Sequence, residues 1–273
     1  MTLADRTRST PAAAAHPAGS LRLLRHLVRQ DFVDRYSGSA LGVTWMLIVP
    51  LMQILVFTLV FGKLVGPRIP GSDSVYAYGL YLVSGILPWI AFANTLQRTT
   101  GVFLDKAGIL TKVPVKLWHV AVHVAIAEAI TFVAVLALFL GLMVALFGAP
   151  PPHALYAPLL LIFQQVLAFT LGLAAAILTV FLRDVREFVG VVTFLWFWMT
   201  PIVYLAKDVP EIMQSAQAFN PSFWFIEGWH RILVYRQTPD FADLGIKFAV
   251  IALLCAGLLR LLAHWERDIR DFI

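Results

Sequence analysis

The chain has 273 residues, 60% of them hydrophobic and 14% charged, and its mean hydropathy is +0.80. Soluble domains carry about 25% charged residues, so this composition excludes an ordinary soluble protein and indicates one that lies in a membrane. The net charge of +5 would fit a nucleic-acid binder, but Lys and Arg stand almost wholly between the apolar runs, where they set topology. We therefore expect no nucleic-acid partner.

The first predicted element is an amphipathic helix over residues 20–38, with Ser20 as a candidate N-cap. The preceding residues 1–19 lack the apolar core of a signal peptide and are expected to form a disordered cytoplasmic tail. The apolar face of the helix carries Leu21, Leu24, Val28 and Phe32, and the pattern blurs near its end at Asp31, Asp34 and Arg35. A basic amphipathic helix beside a span lies in the membrane interface against anionic lipid, and it can also contact a cytoplasmic partner.

Six apolar runs approach or exceed the roughly 20 residues that cross a bilayer as a helix. The predicted spans are residues 40–62, 76–97, 118–147, 154–182, 188–206 and 244–264. With both termini cytoplasmic, 15 of the 21 Lys and Arg residues fall on the inner side. The sequence thus predicts an all-α, multi-pass protein of an inner membrane, with residues 39–273 as its transmembrane domain.

The connection between the last two spans is aromatic and apolar, yet too short to cross the membrane. Residues 221–235 belong to a predicted re-entrant element at about 209–236. We expect a short helix near residues 211–218 and a break at Asn220–Pro221.

Several motifs in chain order resemble ABC-2 type permeases of the polysaccharide-export group. The opening segment, residues 31–51, carries Arg35, Tyr36, Leu41, Gly42, Trp45, Pro50 and Leu51 at the family's positions. The others are SGILPW at 84–89, ILTKVPV at 109–115, FLRDVREF at 181–188, WMTPIVY at 198–204 and FNPSFWFIE at 219–227. The family exports lipid-linked O-antigen, capsular polysaccharide or teichoic acid, and the motifs do not choose among these.

The resemblance implies a transport subunit rather than an enzyme. The expected partners are a second copy of the chain, two copies of a separate ATPase, a lipid-anchored polysaccharide, membrane lipid and periplasmic export proteins. The chain has no GxxxxGK[ST] motif. We therefore expect ATP and Mg²⁺ on the partner ATPase and no cofactor in this chain.

By the same resemblance, the cytoplasmic connection of residues 102–114 would be a coupling helix that docks on the ATPase. Its candidate contact residues are Val102, Phe103, Asp105, Lys106, Ile109, Leu110 and Lys112. The charged loop at Arg183 and Asp184 is a candidate second contact. The alternative for the connection is a solvated loop, and for the second loop a set of topology determinants.

Aromatic side chains are the candidate lining of a glycan path, because an aromatic face can stack on the C–H face of a sugar ring. The candidates are Trp45, Phe57, Trp89, Phe92, Trp196, Trp198, Tyr204, Trp224, Phe225 and Trp229. Trp224 and Phe225 are the favoured pair. The alternative is that these residues anchor the protein at the membrane interfaces.

Glu128 lies inside the third predicted span, where a carboxylate costs about 2.5–3.5 kcal/mol on insertion scales. It therefore needs a polar partner or a proton, and His123, Gln164 and Gln165 are the candidate partners. A structural hydrogen bond is favoured over a proton relay. A proton-driven transporter, a membrane enzyme of glycolipid synthesis and an exporter of drugs or small lipids remain as rival functions.

Overall fold

The computed structural model describes residues 17–64, 75–113, 115–148 and 150–273. Over these residues the chain forms eleven α-helices and no β-strand, which confirms the all-helical prediction for the described part. The helices are α1 (Pro17–Tyr36), α2 (Trp45–Leu64), α3 (Val75–Asp105), α4 (Ala107–Leu110), α5 (Leu117–Phe147), α6 (Ala157–Phe181), α7 (Asp184–Met199), α8 (Glu211–Gln217), α9 (Pro221–His230), α10 (Phe241–His264) and α11 (Glu266–Phe272). Residues 1–16 of the predicted tail lie outside the described residues.

Helix α3 is the centre of the bundle and packs against α2, α5, α6, α7 and α9. Its apolar side chains point in several directions into the core, and Tyr81, Leu82 and Phe92 are almost fully buried. A glycine allows α6 to lie close to α3, because a Cβ added at Gly172 of α6 would lie 2.7 Å from the Cβ of Thr99. The backbones of α3 and α6 therefore approach closely in the C-terminal half of α3.

Four stretches in the described chain are long and apolar enough to cross a membrane: 78–105, 117–145, 152–181 and 241–264. They correspond to the second, third, fourth and sixth predicted spans. A shorter apolar helical stretch, residues 42–57, includes the first part of α2 and lies in the region of the first predicted span. Helix α10 exposes Ile246, Val250, Leu253 and Leu254, as a helix with lipid on one side would.

The fifth predicted span, 188–206, differs from the observed helix at both ends. Helix α7 begins at Asp184 and ends at Met199, because Pro201 follows and Thr200 takes the extended conformation favoured before proline. Residues 200–205 are irregular, and α3 holds them: the Tyr78 hydroxyl donates to the Val203 carbonyl at 2.8 Å and that of Tyr81 to the Tyr204 carbonyl at 2.9 Å.

The chain then turns back into the bundle through α8 and α9. Asn220 caps α9, with its Oδ1 accepting from the backbone N–H of Ser222 at 3.2 Å, and Pro221 occupies the first helical turn. Phe225 packs on Phe92, with ring centroids 5.1 Å apart, and His230 stacks on Tyr81 at 3.9 Å. Helix α9 therefore starts near the middle of α3 and ends towards its N-terminal end.

Candidate functional site

An ion-pair network joins three helices at the C-terminal half of α3. Glu128 of α5 accepts hydrogen bonds from Arg35 of α1 at 2.9 Å and from Arg98 of α3 at 2.6 Å. Asp31 of α1 accepts from the same two guanidinium groups, at 2.8 Å from Arg35 and 2.5 Å from Arg98. The carboxylates are almost completely buried, whereas the arginines are a quarter to a third exposed. Two positive and two negative groups thus form a neutral network, which we call the α1–α3–α5 network.

The network explains the residues that blur the amphipathic pattern of α1. Leu27, Asp31 and Arg35 follow one another at four-residue intervals, so they form one stripe of the helix. This stripe faces the protein, with Leu27 and Asp31 buried, and α1 packs against α5. Burial alone would lower the pKa of Arg35, but the neighbouring carboxylates of Glu128 and Asp31 outweigh it and leave that pKa raised. The guanidinium therefore stays charged.

The partners predicted for Glu128 lie elsewhere, which corrects the prediction. His123 Nδ1 lies 2.5 Å from the Val120 carbonyl of its own helix. Gln164 accepts from the Trp229 indole at 2.8 Å, and Gln165 accepts from the Thr95 hydroxyl at 2.9 Å. Gln164 and Gln165 thus join α6 to α9 and α3 instead, and His123 bonds within α5. Arg35 and Arg98 were not predicted as partners, because they lie just outside the predicted spans 40–62 and 76–97.

The second candidate site is the turn between α3 and α5, residues 106–113, which we call the inner turn. Lys106 pairs with Asp34 of α1 at 3.3 Å, and Asp105, immediately before the turn, pairs with Arg186 of α7 at 2.7 Å. The side-chain amide of Gln30 and then Lys106 lower the pKa of Asp34. The pairs border a polar cavity of about 440 Å³. The inner turn is thus connected by side chains to two other helices.

Only part of the predicted ATPase contact set is accessible. Asp105, Ile109 and Lys112 are exposed and Lys106 is partly exposed. In contrast, Val102, Phe103 and Leu110 are buried in a core cluster with α5 and α6, so their side chains have no free surface for a partner. We therefore assign these three to packing. Pro114, the last residue of the predicted coupling segment, lies outside the described residues.

The predicted second contact lies close to the inner turn. Arg183 and Asp184 are exposed at the start of α7. The pair formed by Asp105 and Arg186 brings this start next to the end of α3. The two cytoplasmic elements predicted from the sequence therefore form one continuous surface.

Four of the predicted path aromatics are core residues. Trp89 is 6% exposed, and Phe92, Phe225 and Trp229 are completely buried. Their rings pack on one another and on α5 and α7, for example Phe132 on Trp229 at 5.4 Å and Phe92 on Trp196 at 5.4 Å. A buried ring offers no face to a passing glycan in this conformation. The favoured pair, Trp224 and Phe225, is thus corrected to Trp224 alone.

The other six aromatics keep some accessible surface. Trp45 and Trp198 are 43% and 46% exposed, and Phe57, Trp196, Tyr204 and Trp224 are partly buried. Trp224 has a polar setting: its indole donates to the Ala218 carbonyl at 2.9 Å, and Lys247 lies 4.8 Å from its ring centroid. Trp198 belongs to a stripe of α7 that also exposes Phe188, Val191 and Phe194.

Within the described residues, no group of three or more His, Cys, Asp and Glu side chains could hold a metal ion.

Comparisons with known proteins agree with this architecture. The profile of the ABC-2 type transporter family matches residues 22–234. An O-antigen export system permease protein RfbA from Myxococcus xanthus is 28% identical over 85% of this chain and 88% of its own length. Two proteins of the same name from Klebsiella pneumoniae are 26% and 24% identical over 86% and 78% of this chain, and over 89% and 80% of their own lengths. The match covers more than three quarters of the sequence, and the chain belongs to the ABC-2 type transporter family.

Proposed function

We propose that this chain is the membrane-spanning permease subunit of an ATP-driven exporter of a lipid-linked or lipid-terminated polysaccharide, of the O-antigen or capsule type. The observation that carries the proposal is the similarity to three permeases named for O-antigen export over 78% to 86% of this chain. The family profile, which matches residues 22–234, includes the inner turn and α9, so the similarity concerns the transport apparatus itself. ATP and Mg²⁺ belong to a separate ATPase, and this chain needs no cofactor of its own.

The proposed topology has six spans, with both termini on the cytoplasmic side of the inner membrane. Helices α2 and α7 add two spans to the four long apolar helices. Helix α2 has 20 residues, about 30 Å at 1.5 Å per residue, which matches the hydrocarbon core. Helix α7 has 16 residues, and the buried segment 200–205 continues it outwards. In this arrangement α8 and α9 form a re-entrant element of the outer leaflet.

The inner turn and the start of α7 are the proposed docking surface for the ATPase. Ile109 and Val113 are 38% and 47% exposed, so the turn presents apolar surface beside the charge of Lys112. Apolar residues with a charged rim are typical of protein interfaces. Because the adjoining pairs reach α1 and α7, a push on the turn would act on both helices together.

A second copy of the chain is the proposed partner within the membrane. The stripe of Phe188, Val191, Phe194 and Trp198 on α7 repeats at three- and four-residue intervals, so it forms one apolar face. Aromatic residues are enriched in interface cores. We propose that this face and the exposed aromatics Trp45 and Trp198 border a glycan path between the two copies.

A crosslinking and export experiment tests the proposal. A photocrosslinker at Ile109 should capture an ATPase subunit in membranes that export polysaccharide, whereas the same group at Leu253, on the exposed face of α10, should not. Cells without the chain should accumulate lipid-linked polysaccharide on the cytoplasmic side, and the intact chain should restore export. Export that persists without any ATPase would support a proton-driven transporter, and transport of drugs or small lipids alone would support that alternative.

A further inference from the structure

The C-terminal helix α11 contacts the inner turn through one side chain. Arg270 donates from Nη1 to the Leu110 carbonyl at 2.6 Å, and its Nη2 donates to the Val115 carbonyl. Leu110 is the last residue of α4, and the carbonyls at the end of a helix need partners from outside the helix. One guanidinium group therefore binds backbone within the inner turn, at Leu110, and just after it, at Val115.

Helix α11 is itself firmly seated on the bundle. Ile269 is completely buried and joins the same core cluster as Leu110 and Leu117. Phe272 packs edge-on against Phe181 of α6, with ring centroids 5.1 Å apart. Glu266, one turn earlier in α11, accepts from Arg270 at 3.0 Å and so orients the guanidinium. The arginine thus has a fixed base from which to hold the turn.

The two ion pairs near the inner turn are weaker interactions than the hydrogen bonds of Arg270. The pair of Asp105 and Arg186 is about half exposed on both sides, and Asp34 in the pair with Lys106 is also half exposed. Exposed pairs contribute about 0–1 kcal/mol because water and salt screen them. Arg270 is three-quarters buried, and hydrogen bonds from a charged donor are among the stronger ones. Its two acceptors are backbone atoms, so it fixes the path of the turn rather than one side chain.

We infer that Arg270 is a positioning residue for ATPase coupling: it holds the inner turn rigidly against α5 and α6, so that movement of the ATPase is passed to the spans. The inference rests on the proposed function, because the inner turn must be the docking surface. It extends the coupling apparatus to the C-terminal helix. A turn without this arginine would still bind the ATPase through Ile109 and Lys112 but would yield when pushed.

The test uses the full permease with its ATPase in proteoliposomes. Arg270→Ala should lower polysaccharide export per ATP hydrolysed by about tenfold, the effect expected from losing two charged hydrogen bonds of which part is recovered by relaxation. Arg270→Lys keeps the charge but not the planar fork, so its export per ATP should lie between that of the unaltered chain and that of Arg270→Ala. Arg267→Ala is the matched control, since Arg267 is exposed on the same helix. It should export as the unaltered chain does.

Crosslinking from Ile109 to the ATPase separates the two proposals. In the unaltered chain, absence of this crosslink contradicts the docking surface itself. A crosslink that persists in Arg270→Ala while export per ATP falls supports the positioning role. Unchanged export per ATP in both Arg270 variants overturns it. If Arg270→Ala lowers the amount of complex, export per ATP hydrolysed is compared for Arg270→Lys instead. A normal export per ATP in the Arg270→Lys complex then means that the arginine serves folding only.

Discussion

Removal of the Glu128 carboxylate should destabilise the bundle. We expect this loss of stability to be its main effect, and not the loss of a proton-linked transport step. Glu128→Ala removes an acceptor that is 1% exposed and that binds Arg35 at 2.9 Å and Arg98 at 2.6 Å. Breaking a buried ion pair costs about 3–5 kcal/mol. Here Asp31 remains bonded to both arginines, and these are 25% and 32% exposed. We therefore expect a smaller loss, about 2–3 kcal/mol.

Thermal unfolding of the purified chain in detergent measures this loss. For a chain of this size, 2–3 kcal/mol corresponds to a decrease in Tm of about 5–10 °C. Asp243→Ala is the matched control, because Asp243 is half exposed and its pair with Lys247 joins neighbouring turns of one helix. The control should change Tm by no more than about 2 °C, since exposed pairs contribute little.

Glu128→Gln distinguishes the structural role from a proton relay. The amide keeps the size of the side chain and one carbonyl acceptor but cannot carry a proton. The network predicts a moderate loss of stability and export close to that of the unaltered chain in cells that hold equal amounts of protein. Abolished export at full stability would refute the structural reasoning and assign a proton-transfer role to Glu128.

Two further predictions follow from burial and close packing. Phe225→Ala should lower the free energy of unfolding by about 3–5 kcal/mol, because the ring is completely buried. Trp198→Ala should change the free energy of unfolding by no more than about 1 kcal/mol, since Trp198 is 46% exposed. It should lower export, because Trp198 borders the proposed glycan path. A stable Phe225→Ala variant, or full export by Trp198→Ala, would contradict the assignment of core and path. Gly172→Ala should cost about 1–3 kcal/mol, because the new Cβ would lie 2.7 Å from Thr99, whereas Gly141→Ala, which meets open space, should be neutral or slightly stabilising in the same unfolding assay.

Run length predicted the helical architecture and the four long apolar helices, because a hydrocarbon core requires about 20 apolar residues and allows few charges. The end of α7 was not predicted, because the apolar run of the sequence continues through residues 200–206. In the structure the chain leaves the helix before Pro201, and the hydroxyls of Tyr78 and Tyr81 bind the backbone carbonyls of the irregular segment. Apolar content alone cannot distinguish a helix from a buried irregular segment.

The candidate site was predicted less completely. The sequence placed the inner turn and the start of α7 on the same side, but it could not separate buried from exposed aromatics, because Phe225 and Trp224 are neighbours with the same chemistry. The partners of Glu128 and the role of Arg270 depend on contacts between residues far apart in the chain. A four-residue spacing of Leu27, Asp31 and Arg35 was the available signal for the network.

Reconstitution in proteoliposomes tests the central claim most directly. The chain and its ATPase are incorporated together, lipid-linked polysaccharide is supplied on the ATPase side, and its appearance on the opposite side is measured with a glycan-cleaving enzyme. The account predicts movement that requires ATP and Mg²⁺ and stops when either protein is omitted. Movement of the polysaccharide by the chain alone under a proton gradient, or no movement of polysaccharide by an assembled complex that hydrolyses ATP, would contradict it.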